Sequence, residues 1–237
     1  MILAAGLGTR LRPLTDHVPK ALLRVGGVPI LERVARRLIE AGSDRLIINL
    51  HHLGDRIREY VDDREGFGVE VRFSEEADGA LETGGGVLRA APHFRGDAPF
   101  FLHNADILTD LPLATMYAAH EQESPLATLA VMERPSSRYL LFDELGLFGR
   151  VDEGKDLRIE ARPKVGAEER LAFGGVHIID PRFPGMLTER GAFSILDPYL
   201  RMIAAGERIR PFRIDGCQWI DIGKPEQLEA AREWFSA

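Results

Sequence analysis

One cysteine, Cys217, stands among 237 residues. No disulfide can close within the chain, and the thiolates of a structural zinc site are missing; a reducing compartment is expected. No apolar run approaches the roughly 18 residues that span a membrane, and the front of the chain does not show the charged and apolar regions of a secretory signal. The expected location is the cytoplasm, with no membrane partner. Positive charge is not in excess either, since 30 lysines and arginines face 37 aspartates and glutamates for a net charge of −7. General nucleic-acid and membrane-surface binders usually show a basic face, so no nucleic-acid partner is expected. Any anionic ligand has to be met by a local cluster of cations, amides or metal. Internal repeats and low-complexity linkers are also absent, and with 45% hydrophobic residues the chain reads as a single domain over residues 1–237.

What is present is a regular alternation. Leu31, Val34, Ala35, Leu38 and Ile39 recur at helical spacing, with Gly42 beyond them as a C-terminal cap. RLIINL (Arg45 to Leu50) is a short branched strand, Leu53 to Arg64 a helix, and VEVRFS (Val69 to Ser74) alternates with period two. PFFLHNAD, ending at Asp106, reads as a buried strand with a polar end, and LATLAVME (Leu126 to Glu133) as another. Strands separated by helices of ten or more residues imply right-handed crossovers and a mostly parallel sheet covered on both faces, a doubly wound α/β fold. Between Tyr139 and Ile179 short alternating stretches are punctuated by Glu144, Gly146 and Gly149. These predict hairpins in a small antiparallel β insertion (139–179) that could wall one side of a cleft. SILDPYLRMIAAG then reads as a helix, RIRPFRID and QWIDIG as strands, and a closing helix starts at Pro225.

The chain opens with MILAAGLGTRLRPLT, in which apolar residues break at once into Gly6, Gly8, Arg10 and Arg12. In open α/β sheets ligands bind beyond the carboxyl ends of the strands, where a glycine-rich turn presents N–H groups to phosphate. Gly6 and Gly8 supply backbone freedom, and Arg10 and Arg12 supply charge able to pair bidentately with phosphate oxygens. GLGTRL lacks the third glycine of the dinucleotide fingerprint, and no G-x-x-x-x-G-K-[ST] occurs. Neither a dehydrogenase nor a P-loop NTPase is supported.

Five stretches carry a resemblance over nearly the whole chain: LAAGLGTRLRPLTDHVPKALL (Leu3 to Leu23), LETGGG (Leu81 to Gly86), NAD (Asn104 to Asp106), FGGVHII (Phe173 to Ile179) and WIDIGKPEQL (Trp219 to Leu228). Together they resemble the sugar-1-phosphate nucleotidyltransferases, the pyrophosphorylase family. The resemblance implies a Rossmann-like domain, a requirement for Mg²⁺, and conversion of a nucleoside triphosphate and a sugar 1-phosphate to an NDP-sugar and pyrophosphate. The Leu-Glu-Thr-Gly-Gly-Gly form is most similar to uridylyltransferases acting on N-acetylmuramate 1-phosphate. By the same resemblance Leu3, Ala4, Ala5, Gly6, Gly8, Thr9 and Arg10 meet the nucleotide, as do Glu82, Thr83, Gly84, Gly85 and Asn104. Lys20, Gly174 and Gly175 fall to the sugar phosphate and Asp106 and Asp221 to the metal, with Arg10, Lys20 and Asp106 at the reacting centre.

The residue types make physical sense in those roles. A lysine ammonium is a point charge on a flexible stem and can follow charge onto a phosphoryl oxygen. Asp106 ends an apolar strand and Asp221 lies between Ile220 and Ile222, where a carboxylate is costly without a compensating cation or donors. Mg²⁺ takes one or two carboxylates plus phosphate oxygens and water. From the residues alone, a solvated lysine and two turn-capping aspartates are the alternatives. ETGGG reads as a flexible loop entering a helix at VLRAAP, and the resemblance sets its backbone against the nucleobase. Adjacent His51 and His52 read as turn residues, and Trp234 and Phe235 as packing groups.

Departures narrow the assignment. Ala105-Asp106 stands where the family carries Gly-Asp, and IEARPK (Ile159 to Lys164) is the nearest stretch to the Glu-Lys-Pro of sugar recognition. The apolar run before the glycines is short for a buried strand, which leaves room for a start further upstream. The rivals are a guanylyltransferase for mannose or heptose 1-phosphate, a pyrophosphorylase-like regulatory protein without turnover, and a glycosyltransferase that consumes NDP-sugar.

Overall fold

Two residues, Ile2–Leu3 (β1), carry the centre of the fold. Ile2 pairs in parallel with Ile48 on one side and His103 on the other, and it is fully buried, as a strand covered on both faces requires. The computed structural model describes residues 1–77 and 79–235; position 78 and the last two positions of the expected domain lie outside the described residues.

A small hairpin of Arg24–Val25 (β2) and Val28–Pro29 (β3) leads to α1 (Ile30–Glu40), β4 (Arg45–Leu50), α2 (Gly54–Asp62), β5 (Glu70–Glu75), α3 (Glu82–Ala90) and β6 (Phe100–Asn104). After Ala105 and Asp106 come β7 (Ile107–Thr109), α4 (Leu113–Glu123), β8 (Ala127–Met132), β9 (Arg138–Asp143), β10 (Gly146–Asp152), β11 (Leu157–Glu160) and β12 (Glu169–Ile179). The chain continues through α5 (Leu196–Ala204), β13 (Ile209–Arg213), β14 (Trp219–Asp221) and α6 (Pro225–Trp234).

Strands β5, β4, β1 and β6 run parallel. On one face Leu31, Val34 and Leu38 of α1 pack with Ile57 and Val61 of α2; on the other, Val87 and Ala90 of α3 join Met202 and Ile203 of α5. This is the doubly wound α/β arrangement. Helix α1 ends where its spacing predicts, with Gly42 beyond it at φ +99, a conformation that glycine adopts without strain. No helix among the described residues is long and apolar enough to cross a membrane.

The β-rich stretch is antiparallel as expected, but its last strand does not stay within the insertion. Strands β9, β10 and β11 form antiparallel hairpins, but β12 leaves β9 after Leu171 and enters the central sheet, antiparallel to both β6 and β8. Strand β8, expected among the crossover strands, is parallel to β13 and antiparallel to β12. The pairing of β12 with β8 shifts register between Phe173 and His177, and Gly175 sits inside that irregularity at φ +84. A Cβ on Gly175 would overlap the Ile107 side chain. Gly149 is not a turn residue. It marks a bulge within β10, where a Cβ would overlap the Ile159 carbonyl.

Candidate active site

Parallel strands deliver their carboxyl ends to one side of the sheet, so the loop after β1 meets the ends of β4, β5 and β6. The Ala4 N–H donates to Asn49 Oδ1 at 2.6 Å, Asn49 Nδ2 donates to Glu76 Oε1 at 2.7 Å, and Glu76 Oε2 accepts the Leu81 N–H at 2.8 Å. Both polar side chains are buried. Through them the start of the glycine loop is tied to the start of α3.

Beyond Ala4 the loop is open. No acceptor among the described residues takes the N–H groups of Gly6, Leu7 or Gly8, and a Cβ on Gly6 would meet nothing within 4 Å. Gly8 has φ +63 and packs so closely that a Cβ would come within 2.9 Å of Thr15 Cγ2 and 3.2 Å of Lys20 Cβ. Thr15 Oγ1 donates to the Gly8 carbonyl at 2.8 Å. The left-handed glycine thus folds the loop back over Lys20, and Thr9 and Arg10 follow in a short 3₁₀ turn.

Lys20 Nζ lies 2.5 Å from Asp106 Oδ2. Strand β14 lies antiparallel on β7 with Asp221 opposite Ile107, and the Ile222 N–H donates to the Asp106 carbonyl at 2.9 Å, so the two aspartates are set side by side. Burial, and after it the Asp106 carboxylate, push the Asp221 carboxyl above its ordinary value, while Lys20, Arg10 and Arg134 pull it back. Arg10 reaches the group by lying over Gly223, where a Cβ would sit 3.0 Å from a guanidinium nitrogen. Arg10, Lys20, Asp106 and Asp221 are therefore one cluster. Arg12 is not part of it, because its exposed guanidinium pairs with Asp16 at 3.3 Å. Among the described residues no three or more histidine, cysteine, aspartate or glutamate side chains gather in a metal-binding group.

The TGGG motif is helix, not loop: α3 already begins at Glu82, which is exposed and has φ +58. The Gly84 and Gly85 amides both donate to the Phe193 carbonyl, at 2.9 and 3.3 Å. A Cβ on Gly84 would overlap the Phe193 ring, one on Gly85 the Gly191 carbonyl, and one on Gly86 would press Glu76 Oε1 at 3.2 Å. The three glycines let the helix sit tightly against residues 191–193 and the Asn49–Glu76 pair. Within this motif Thr83 is the residue that lines the cleft, and its Oγ1 accepts the Ile195 N–H at 2.9 Å.

That cleft has a volume of about 300 Å³, and Asn104, Gly175 and Asp221 line it with Thr83. Gly174 stands behind its wall, its carbonyl accepting Trp219 Nε1 at 2.8 Å, while Leu3 packs into the core beside α3. Ala4 and Ala5 are buried at the root of the loop. Among the lining residues not singled out in the sequence are Arg134, Arg138, Arg150 and Trp219. The Arg134 guanidinium lies 4.5 Å over the Trp219 ring; burial lowers its pKa and Asp221 raises it. A signal for Arg134 was available, since it follows β8 at the carboxyl end, where ligands bind. Strand alternation could likewise have placed Arg138 and Arg150 on one face.

The chain is similar to known proteins along nearly its whole length. A family model described as nucleotidyl transferase matches residues 1–235. The N-acetylmuramate alpha-1-phosphate uridylyltransferase of Neisseria meningitidis is 35% identical over 235 residues, covering 98% of this chain and 96% of that protein. The enzyme of the same name from Caulobacter vibrioides is 32% identical over 240 residues, covering 98% and 94%. Among solved structures, UDP-glucose pyrophosphorylase from Acinetobacter baumannii superposes with a TM-score of 0.80 over 99% of this chain and 91% of that one, at 20% identity, a likeness of fold.

Proposed function

This chain belongs to the nucleotidyl transferase family and is a sugar-1-phosphate nucleotidyltransferase; from that premise we propose that it moves the uridylyl group of UTP onto N-acetylmuramate 1-phosphate and releases pyrophosphate, with Mg²⁺ as cofactor. The observation that carries the reading is the convergence of Arg10, Lys20, Asp106 and Asp221 beside a glycine loop whose Gly6, Leu7 and Gly8 amides have no acceptor among the described residues. Cations and aligned amides on one side, with paired carboxylates on the other, suit a polyphosphate bound with a divalent cation. The two relatives named above supply the choice of nucleotide and sugar.

The donor set fits Mg²⁺. Asp106 and Asp221 repel one another, and burial makes the charge on Asp221 costly, so a hard divalent cation between them would relieve both effects, with phosphate oxygens and water completing its shell. Bound there, it would supply Lewis-acid neutralisation of the phosphoryl oxygens. The chain's own groups then position and neutralise. The loop amides and Arg10 hold the triphosphate, and Lys20 meets negative charge as it grows on the α-phosphoryl group. A strong general base is not needed, because a phosphate monoester has a second pKa of about 6 and is already a nucleophilic anion near neutral pH.

The test is pyrophosphate release across UTP, GTP, dTTP and CTP crossed with N-acetylmuramate, N-acetylglucosamine, glucose and mannose 1-phosphates, with and without Mg²⁺. UTP with N-acetylmuramate 1-phosphate should lead the grid. Preference for GTP with mannose 1-phosphate would overturn the base and the sugar together, and nucleotide binding without release in any cell would mark a regulatory protein.

A further inference from the structure

The cleft wall built by β9 and β10 carries more positive charge than phosphate chemistry uses. Arg138 stands opposite Asp152, and Arg150 opposite Leu140. Residues two apart on a strand share a face, so these four side chains project from the same face of the hairpin, and all four line the cleft. Arg134 enters from the end of β8. Against the three guanidinium groups the lining offers two carboxylates, Asp152 and Asp221, and Asp221 already belongs to the cluster with Lys20 and Asp106.

Arg134 gives its terminal nitrogens to the Pro135 and Phe173 carbonyls, both at 3.3 Å, whereas Arg138 and Arg150 are poorly satisfied from within. The Nε atoms of Arg134 and Arg150 are buried without a hydrogen-bond partner among the described residues. Arg150 is only 26% exposed, and its one ion pair, with Asp197, is 3.7 Å long, beyond hydrogen-bond reach. Arg138 has no side-chain partner among the described residues. A guanidinium withdrawn from water with a free N–H edge is matched bidentately by a carboxylate or a phosphate; on the reading above, the phosphates fall to Arg10, Lys20 and the loop amides, which leaves a carboxylate for this wall.

We propose that Arg150, assisted by Arg138, recognises a carboxylate carried on the sugar ring, so that the enzyme selects acidic sugar 1-phosphates over neutral ones built on the same ring. This rests on the sugar-1-phosphate reading above and deepens it. The lactyl ether of N-acetylmuramate supplies such a carboxylate, and that ether is what distinguishes it from N-acetylglucosamine. Arg150 and Arg138 are then specificity-determining residues, remote from the bond that forms.

The experiment compares kcat/KM for N-acetylmuramate 1-phosphate and N-acetylglucosamine 1-phosphate, with UTP and Mg²⁺, in the wild-type enzyme and in Arg150→Gln and Arg138→Gln. The wild type should prefer the acidic sugar by a hundredfold or more. Arg150→Gln should erase most of that preference through KM for the acidic sugar, leaving the neutral sugar and the KM for UTP nearly unchanged. Arg138→Gln, at an exposed position where folding is not at stake, should lower the preference by several-fold. Equal use of the two sugars by the wild type, an equal loss on both sugars in Arg150→Gln, or a loss confined to UTP would each overturn the proposal while leaving nucleotidyl transfer standing. Absence of pyrophosphate release with every sugar and nucleotide would instead overturn the functional reading itself.

Discussion

Asn49 bonds Glu76 at 2.7 Å through its amide nitrogen while its oxygen takes the Ala4 N–H at 2.6 Å, so one buried side chain ties the glycine loop to the start of α3 through Glu76. Neither residue belongs to the stretches that carry the family resemblance. Their position explains their importance: Asn49 ends β4 and Glu76 follows β5, both at the carboxyl edge where the loop must be held.

Glu76 uses one oxygen for Asn49 and the other for the Leu81 N–H, which makes Glu76→Gln far from conservative. A glutamine offers one acceptor where two are needed, leaving a buried donor facing a donor. Loss of stability of about 1–3 kcal/mol is expected, with a KM for UTP raised several-fold because the loop and α3 lose their tie. Denaturant unfolding and steady-state kinetics measure the two effects. An unchanged KM in a destabilised variant would reduce the network to a purely structural one.

Gly84→Ala should destabilise the protein even though it lies in a helix. In an exposed helix interior that change gains roughly 1 kcal/mol from propensity. Here the added methyl would enter the Phe193 ring, and overpacking of a tight core costs about 1–3 kcal/mol. A lower urea midpoint with an unchanged m-value is the expected outcome; a raised midpoint would show that Phe193 moves aside freely.

The acid limb of stability should depend on Asp143. Burial alone would raise this carboxyl, but two bonds from Arg162 and the amides of Val165 and Leu145 outweigh it and hold the pKa at about 2. A carboxyl depressed by folding contributes stability that is complete above its ordinary pKa of 3.8 and is lost as pH falls towards the folded value. Melting temperatures of the wild type should therefore fall between about pH 4 and 2, and Asp143→Asn should be less stable at pH 6 with a shallower fall. Parallel curves would locate the acid sensitivity elsewhere. The same contacts brace the turn of the hairpin that presents Arg138 and Arg150.

Asp106→Asn and Asp221→Asn should each lower turnover by orders of magnitude, a loss only partly recovered at high Mg²⁺. The stability of Asp221→Asn should respond differently from that of an ordinary buried-polar variant. Neutralising Asp221 removes a desolvated charge beside a like charge, so the metal-free melting temperature should hold or rise. A clear drop would favour the turn-capping alternative.

Periodicity made the doubly wound frame legible because α1 buries Leu31, Val34, Ala35 and Leu38 at helical spacing and β4 buries its apolar run from Leu46 to Ile48. It misread ETGGG as a loop. Glycine disfavours helix in isolation, and only the tertiary neighbours Phe193 and Gly191 show why a helix there must be glycine. Gly149 misled for a related reason, since a bulge and a turn both call for a residue without Cβ. Short motifs singled out Arg10, Lys20, Asp106 and Asp221. Arg138 and Arg150 stayed hidden, because an arginine on a strand resembles any solvated charge until the pairing of β9 with β10 assigns its face.

Lys20 separates a transition-state role from an anchoring one. Its Nζ bonds Asp106, and its side chain is only 12% exposed, so the ordinary surface-lysine alternative, with changes within about 0.5 kcal/mol, is already strained. If the ammonium meets charge that grows on the α-phosphoryl group, Lys20→Ala should lower kcat and kcat/KM together, on the order of a hundredfold. Lys20→Arg should rescue poorly, because a planar fork cannot reproduce a point charge. A rise in KM for the sugar phosphate with kcat intact would make Lys20 a ground-state anchor and shift the catalytic charge to Arg10. The bond to Asp106 adds a control: if Lys20 acted only by holding that carboxylate in place, Lys20→Ala combined with Asp106→Asn would be no worse than Asp106→Asn alone, whereas a direct role at the phosphate requires a further loss in the double variant.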